Sequence, residues 1–202
     1  MNNKRSFHLH ISNWDVARTN RPSLETERLL LRPFNLNDSQ RVQKLANCKE
    51  VTSPTLNLPF PYKIQHAQKW ISTHDSLFTK KKHAIFAITD RISSELLGAI
   101  SLVTVSKHSH AELGYWVGHD YWKQGFATEA ARGVIEFGFE KLELNRIYAH
   151  FMAHNPASGK VMKKLGMHFE GILREHVFKN DTFIDLHIYS ILKSEWDANS
   201  IK

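Results

Sequence analysis

A strand, a glycine-containing turn and a helix follow one another between residues 110 and 142, and this succession limits the possible folds more than any other part of the sequence. The strand is predicted from a period of two, in which one set of apolar residues shares a face: Ala111, Leu113, Tyr115 and Val117. The helix opens near Gly125 and runs to about Leu142, with apolar residues on two adjacent stripes. Such an amphipathic helix lies against a sheet, which predicts an α/β fold.

The start of this helix is a predicted anion site. The first backbone N–H groups of a helix have no intrahelical acceptor, and the helix dipole places partial positive charge there. Gly125 leaves room for a phosphate to approach the backbone, and Lys123 adds a cation. The glycine patterns of P-loops and of dinucleotide-binding turns do not match this segment, and a glycine at a helix start is more often only a turn residue. The turn alone therefore leaves the ligand open.

The rest of the chain is predicted to place strands and helices on both sides of this unit. Besides 111–117, six segments are predicted as strands: 28–34, 84–89, 96–103, 146–152, about 168–178 and 182–192. Helices are expected at about 37–47 and 64–78 and in a short segment ending at Leu165, and Asn180-Asp181 is predicted as a hairpin turn. The segment 52–62 contains three prolines and is predicted to be a loop, and loops of this length in a domain are often functional.

Composition limits the class of protein. The 202 residues suffice for one domain, and the single cysteine, Cys48, cannot form an internal disulfide. No apolar run approaches the roughly 18–20 residues of a membrane-spanning helix, and residues 1–10 lack the apolar region of a secretory signal. We therefore expect a cytoplasmic protein without membrane contact, with residues 1–23 as an N-terminal extension, residues 24–196 as the domain and residues 197–202 as a tail.

The chain carries a formal net charge of +7, with 27 Lys and Arg against 20 Asp and Glu. No predicted helix is basic along its whole length, so direct nucleic-acid binding is the weakest interpretation. The excess also suits a polyanionic small molecule or a phosphate-rich partner. The thirteen histidines do not combine with cysteine or acidic residues at metal-ligand spacing, and no metal is predicted.

Several short motifs resemble the Gcn5-related N-acetyltransferase (GNAT) superfamily. Residues 122–127 match its [Q/R]-x-x-G-x-[G/A] signature, with Trp122 in place of the usual Gln or Arg. Residues 154–159 and 164–167 are similar to its Asn-x-x-Ser and Lys-x-Gly-Phe segments. Residues 24–33 and 185–196 resemble the ribosomal-protein alanine/serine N-acetyltransferase branch, the RimJ/RimL type. The resemblance spans about residues 24–196.

This resemblance implies an acyl-CoA N-acyltransferase fold of the α/β (α+β) class. Its sheet is mixed, bent and seven-stranded, is flanked by helices, and has splayed fourth and fifth strands. Acetyl-CoA is then the acetyl donor, with its pantetheine arm on the fourth strand and its pyrophosphate on the N–H groups of residues 123–128. The implied cofactor-binding residues are Trp116, Val117, Gly118, Lys123, Gln124, Gly125, Phe126, Ala127, Thr128 and Asn155.

Acetyl transfer from a thioester to an amine needs a base for the amine and stabilisation of the charge that develops. The resemblance implies Glu112 as the base, with a structural ion pair as the alternative and His176 or His187 as the next candidates. Direct attack by the amine needs no protein nucleophile. Cys48 lies outside every motif, so no covalent relay is expected.

The family's usual tyrosine acid would fall on Met162, which cannot donate a proton. Asn155 and Ser158 are the expected substitutes, with Asn155 bonding the pantetheine arm and the Ser158 hydroxyl reaching the sulfur. The alternative for both is helix capping, since Asn155 precedes Pro156.

Together these features predict an acetyl-CoA-dependent N-acetyltransferase that acts on the N-terminal amine of a protein. A ribosomal protein is the expected substrate, and association with the ribosome would be a consequence. One alternative is a small amine such as an amino acid, polyamine or antibiotic, although loop 52–62 offers no carboxylate for a polyamine. The other is a non-catalytic acyl-CoA-binding module, which Met162 supports. A monomer and a homodimer are both compatible with the sequence.

Overall fold

One mixed sheet organises the fold, which the computed structural model describes over residues 10–12 and 21–200. Its nine strands are ordered β1-β2-β3-β4-β5-β6-β7-β9-β8. They are β1 (His10–Ser12), β2 (Ser23–Glu25), β3 (Leu29–Arg32), β4 (His83–Asp90), β5 (Leu96–Val105), β6 (His110–Val117), β7 (Arg146–Met152), β8 (His168–Lys179) and β9 (Thr182–Leu192).

The pairing between β6 and β7 is parallel and short. It joins three residue pairs, from His110 with Arg146 to Glu112 with Tyr148, whereas the other neighbouring strands pair antiparallel. Beyond Glu112, β6 stays paired with β5 as far as Val117. The two strands therefore part towards their carboxyl ends. The predicted splaying of the fourth and fifth strands is confirmed, since β6 and β7 are those two strands.

Helices cover both faces of the sheet. They are α1 (Ser39–Ala46), α2 (Lys49–Thr52), α3 (Ile64–Ser72), α4 (His74–Thr79), α5 (Phe126–Glu140), α6 (Pro156–Lys164) and α7 (Lys193–Ser200). On one face α5 buries Val134, Ile135 and Phe137 in the larger apolar cluster. On the other face α1 and α3 pack through a second cluster that includes Val42 and Ile71. The sheet thus lies between two helical layers, and α5 packs on it as its apolar period predicted.

Close packing of α5 on the sheet depends on Gly138. A Cβ atom there would lie 2.8 Å from a methyl carbon of Ile147 and 2.9 Å from one of Leu102. The missing side chain lets the helix approach β5 and β7 closely. This contact fixes α5, and with it the helix start at Gly125, relative to the carboxyl end of β6.

The seven predicted strands correspond to β3–β9, and two short strands precede them. Residues 10–12 of the predicted extension form β1, which pairs with β2 from His10–Glu25 to Ser12–Ser23; residues 1–9 and 13–20 of that extension lie outside the described part of the chain. At the other end, α7 continues past residue 196 to Ser200. The proposed boundaries at 23 and 196 stay predictions.

Two helical details differ from the expectation. The helix predicted at 64–78 is divided into α3 and α4 at Thr73. The start of the proline-rich segment contributes to α2, a helix of four residues. A helix this short carries too few residues for a period to show. Among the described residues, no helix is long and apolar enough to span a membrane.

Candidate active site

The parting of β6 and β7 opens a gap, which we define by residues 113–117 of β6 and 149–152 of β7. Strand alternation directs Glu112 and Trp116 to the face covered by α1 and α3, where Trp116 packs on the second cluster. Tyr115 and Val117 face the other side, where they pack with α5. Side chains can therefore reach the gap from both faces of the sheet.

The start of α5 has the geometry of an anion site. Gly125 caps the helix with φ +85°, and Lys123 also has a positive φ, of 62°. The first hydrogen bond into the helix runs from Glu129 N to Gly125 O at 3.0 Å. The N–H groups of residues 126–128 consequently lack an acceptor within the helix. These N–H groups are directed away from the helix and can serve as donors to an anion, and the anion site itself stays a prediction.

A cavity of about 310 Å³ adjoins these donors. Its lining residues are Glu27, Gly125, Thr128, Glu129, Arg132 and Lys164. Glu129 is already engaged: its carboxylate accepts from Thr26 Oγ1 at 2.6 Å and from Arg28 N and Nε at 2.7 Å each. Arg132 and Lys164 add positive charge to a wall that also carries Glu27, and together with the N–H groups of the helix start they offer donors to a polyphosphate.

Arg28 holds the turn in place from the segment before β3. Arg28 bonds Glu129 through its backbone N and its Nε, and its Nη1 donates to Gln124 O at 3.0 Å. Its guanidinium carbon lies 4.6 Å from the centroid of the Phe126 ring. The sequence did not predict Arg28, Arg132 and Lys164 as parts of this site. Arg132 lies seven residues after Gly125, which is two helical turns, and this spacing is a usable signal.

Trp122 has a defined role where the family signature has Gln or Arg. Its indole Nε1 donates to Val117 O at 2.7 Å, and this bond ties the turn to the end of β6. Gly118 N donates to Leu97 O at 2.8 Å, on the β5 side. Because neighbouring residues of a strand direct their backbone groups to opposite edges, the backbone of Val117 faces the gap.

Glu112 is half-buried at the last β6–β7 pair. Its Oε1 lies 3.6 Å from His150 Nε2, and its paired neighbour on β7 is Tyr148. Burial chiefly raises the pKa of Tyr148, and Glu112 adds to the shift. On the other side, burial lowers the pKa of His83, while the charge of Glu112 opposes that change. Glu112, the predicted base, thus has polar neighbours. Its contact with His150 matches the alternative interpretation, in which Glu112 forms a structural ion pair.

Asn155 and Ser158 lie at the start of α6. Asn155 is the N-cap: its Oδ1 accepts from Ser158 N at 3.4 Å, and its Nδ2 donates to Ser158 Oγ at 3.0 Å. Helix capping, the alternative for this pair, is therefore present, and the catalytic roles stay predictions. Met162 is 1% exposed within the larger cluster.

The remaining candidates lie apart from Glu112. His176 is exposed on β8, and His187 pairs with Phe151, whose side chain faces α6. Cys48 caps α2, where burial and a hydrogen bond to Glu50 raise the pKa of its thiol. Such a thiol is a poor nucleophile near neutrality. Within the described residues, no cluster of three potential metal ligands is present.

Comparison with known proteins identifies the family. A protein-family model described as an acetyltransferase (GNAT) domain matches residues 28–168. The chain belongs to the GNAT family. It is 35% identical over 173 residues to the uncharacterized N-acetyltransferase YoaA of Bacillus subtilis (strain 168), covering 85% of this chain and 97% of that protein.

Other similar proteins agree with this assignment. The E. coli (strain K12) ribosomal-protein-serine acetyltransferase is 31% identical over 97 residues, which is 48% of this chain and 54% of that protein. A solved structure titled a probable acetyltransferase is 26% identical, with a TM-score of 0.79 over 86% of this chain and 98% of that one. The protein is an acetyl-CoA N-acetyltransferase of the GNAT type.

Proposed function

We propose that the acetyl acceptor is the N-terminal amine of a protein, with ribosomal proteins as the first candidates. The observation that carries this proposal is an open pocket of about 820 Å³ between the segment after α2 and the tip of the β8–β9 hairpin. Its lining residues are Lys49, Thr52, Ser53, Leu56, Asn57, Leu58, Pro59, Phe60, Lys179 and Asn180.

The pocket lies at the open end of the gap. On one side, α1 packs on the segment after β6, since a Cβ on Gly118 would lie 2.8 Å from a methyl carbon of Leu45. The helix α2 begins at Lys49, shortly after α1 ends at Ala46. On the other side, β9 pairs with the last residue of β7 through Leu186 and extends four residues further. A molecule in the pocket can therefore extend an amine towards the gap.

The chemistry of the pocket favours a peptide over a polyamine. Its lining residues are apolar or neutral polar apart from two lysines, and no carboxylate is among them. A polycation would need carboxylates to replace its hydration, and lysines repel it. Neutral polar groups beside apolar ones suit an extended peptide, whose backbone needs hydrogen bonds.

Relatives give the proposal its ribosomal direction. The E. coli uS5-alanine N-acetyltransferase is 26% identical over 113 residues, 55% of this chain and 58% of that protein. Spermidine N-acetyltransferase from Vibrio cholerae shares the fold at 22% identity and a TM-score of 0.73 over 85% of this chain and 99% of that one. At that identity the likeness carries the fold alone. The ribosomal direction rests on the relatives, and the choice of a peptide rests on the pocket.

In the proposed mechanism, the free N–H groups of residues 126–128 hold the pyrophosphate of acetyl-CoA, with Arg132 and Lys164 nearby. The predicted cofactor contacts at Trp116, Gly118, Gln124 and Asn155 belong to this proposal. Val117 offers its N–H on the side of the gap, since its carbonyl already accepts from Trp122. The thioester supplies the acetyl group. Glu112 accepts the amine proton on the α1/α3 face, and Ser158 lies on the opposite side of the sheet.

The test is a screen of amines with acetyl-CoA and detection of free thiol. The panel contains hexapeptides with N-terminal Ser or Ala, the same peptides with a blocked N-terminus, spermidine and free amino acids. We expect turnover of the unblocked peptides and loss of turnover on blocking. Preference for spermidine would replace the peptide proposal by the small-amine alternative. Binding of acetyl-CoA without turnover of any amine would favour a non-catalytic module.

A further inference from the structure

We propose that Tyr115 is a further catalytic residue, whose hydroxyl, together with Ser158, donates a hydrogen bond to the sulfur of the departing coenzyme A. This inference rests on the proposed direct transfer of the acetyl group and does not depend on which amine accepts it. The family's usual tyrosine would supply a hydrogen-bond donor at this step, and Met162, which stands at that position, cannot. Tyr115 would supply the donor instead.

Tyr115 lies on the part of β6 that borders the gap. It is three residues beyond Glu112, the last residue of β6 that pairs with β7. Its side chain turns to the face of α5 and α6, opposite to Glu112. A base and a hydrogen-bond donor thus reach the gap from opposite faces of the sheet.

Ser158 approaches Tyr115 from the other wall of the gap. It lies in the first turn of α6, which packs on β7 so closely that a Cβ on Gly159 would be 2.7 Å from the Phe151 ring. Ser158 opposes the rise that burial causes in the pKa of Tyr115, and no hydrogen bond of regular geometry joins the two hydroxyl groups. Tyr115 on β6 and Ser158 on α6, which packs on β7, therefore lie on the same face of the sheet and on the two sides of the gap.

The Tyr115 hydroxyl is buried and has no hydrogen-bond partner among the residues that the structure describes. An unpaired buried hydroxyl costs stability, and a phenylalanine would avoid that cost. Ser158 is held in place through its bonds with Asn155, so the neighbouring donor is ordered. A polar atom at this position has a use if an acceptor enters the gap.

The reaction supplies that acceptor. The amine nitrogen forms a bond to the acetyl carbon, the C–S bond breaks, and its electron pair goes to the sulfur. Glu112 takes the amine proton. Tyr115 keeps its own proton and donates a hydrogen bond to the thiolate, because burial raises its pKa to about 12. Fixed donors aimed at developing charge typically lower the barrier substantially.

Tyr115→Phe tests the assignment because it removes only the hydroxyl. With the best acceptor of the amine screen, we expect kcat to fall about ten- to a hundredfold with little change in the KM of the acceptor. The thermal midpoint of the protein without ligand should stay equal or rise, since an unpaired group is lost. Tyr189→Phe, which changes a buried tyrosine on β9, is the matched control and should leave kcat unchanged.

A second measurement does not depend on turnover. Hydrogen-bond donors at the sulfur should strengthen coenzyme A binding as its thiol ionises. The affinity of the wild type for coenzyme A should therefore rise between about pH 7 and pH 10 more than the affinity of Tyr115→Phe. We expect this difference in affinity gain to be about tenfold. Calorimetry with coenzyme A measures this difference.

The outcomes separate the two proposals. Unchanged kcat in Tyr115→Phe, or the same pH dependence of coenzyme A affinity as the wild type, would overturn the role of Tyr115. A wild-type protein that acetylates none of the amines would overturn the proposed function, and the calorimetry would still decide whether Tyr115 contacts the sulfur.

Discussion

Glu112 is the residue whose substitution should separate acetyl transfer from acetyl-CoA binding. Glu112→Gln keeps the size of the side chain and removes its capacity to take a proton. We expect kcat to fall about a hundredfold or more and to depend less on pH, with acetyl-CoA affinity nearly unchanged. Steady-state kinetics and calorimetry measure these quantities, and Glu143→Gln, at an exposed position, is the control. An unchanged kcat would assign the base elsewhere, with His150 as the nearest candidate.

His74 predicts a pH dependence of stability. It is 1% exposed between Phe34 and Trp70, and within the described part of the chain neither ring nitrogen has a hydrogen-bond partner. Burial, and then Arg21, lower its pKa to about 4 from 6.5. The folded state therefore binds its proton less readily than the unfolded state. The contribution of neutral His74 to the free energy of unfolding is fully present above about pH 6.5. It is lost as the pH falls towards 4, by about 3 kcal/mol in total.

Denaturant unfolding at a series of pH values measures this loss. In His74→Phe, the free energy of unfolding should decline less between pH 6.5 and 4.5 than in the wild type. The exposed His154→Gln serves as the control and should follow the wild type. A decline in His74→Phe as steep as in the wild type would show that other groups cause it.

The start of α5 predicts how acetyl-CoA affinity responds to Gly125. Valine disfavours φ +85°, and its side chain would meet Arg28 Nη2, 3.3 Å from the Cβ position. Gly125→Val should therefore displace the free N–H groups and weaken acetyl-CoA binding about tenfold or more, near 1.4 kcal/mol. Gly125→Asn, which tolerates this backbone conformation, should lose less. Wild-type affinity in Gly125→Val would place the phosphates elsewhere.

Removal of the Lys179 ammonium group should make one wall of the acceptor pocket more mobile, because Lys179 joins the β8–β9 hairpin to that wall. Lys179 Nζ donates to Thr52 O at 2.8 Å, to Ser53 O at 3.2 Å and to Thr55 O, and so ties the hairpin tip to the end of α2. In Lys179→Met, we expect faster hydrogen exchange in residues 53–60 and a several-fold higher KM for the peptide, with the KM of acetyl-CoA unchanged. The exposed Lys107→Met is the control. Unchanged exchange would mean that the bridge does not hold this wall.

Elements with a clear period or a defined turn were predictable from the sequence. The two stripes of α5 and the glycine before it predicted the helix and its start at Gly125. Asn180 and Asp181 both have positive φ, of 50° and 57°, as a two-residue hairpin turn requires. The four residues of α2 are too few to show a pattern, and the break between α3 and α4 at Thr73 left no signal in the apolar period.

The arrangement of the candidate site was predictable only in part. Resemblance to the family placed Glu112, Ser158 and Gly125 near one gap. The tie from Arg28 to Glu129 joins residues about a hundred positions apart, which no local pattern reveals. Tyr115 read as an ordinary apolar strand residue, because its unpaired hydroxyl depends on how α6 packs on β7. Long-range packing, and not residue type, decides these contacts.

The proposed phosphate site at the start of α5, the gap between β6 and β7, and a pocket whose lining residues include no carboxylate together predict transfer to the α-amine of a peptide. A decisive measurement uses acetyl-CoA and a peptide that carries both a free N-terminal serine and an internal lysine, followed by mass-spectrometric fragmentation of the product. We predict one acetyl group on the N-terminal nitrogen. Acetylation of the lysine side chain, or an unmodified peptide alongside acetylated spermidine, would contradict the account.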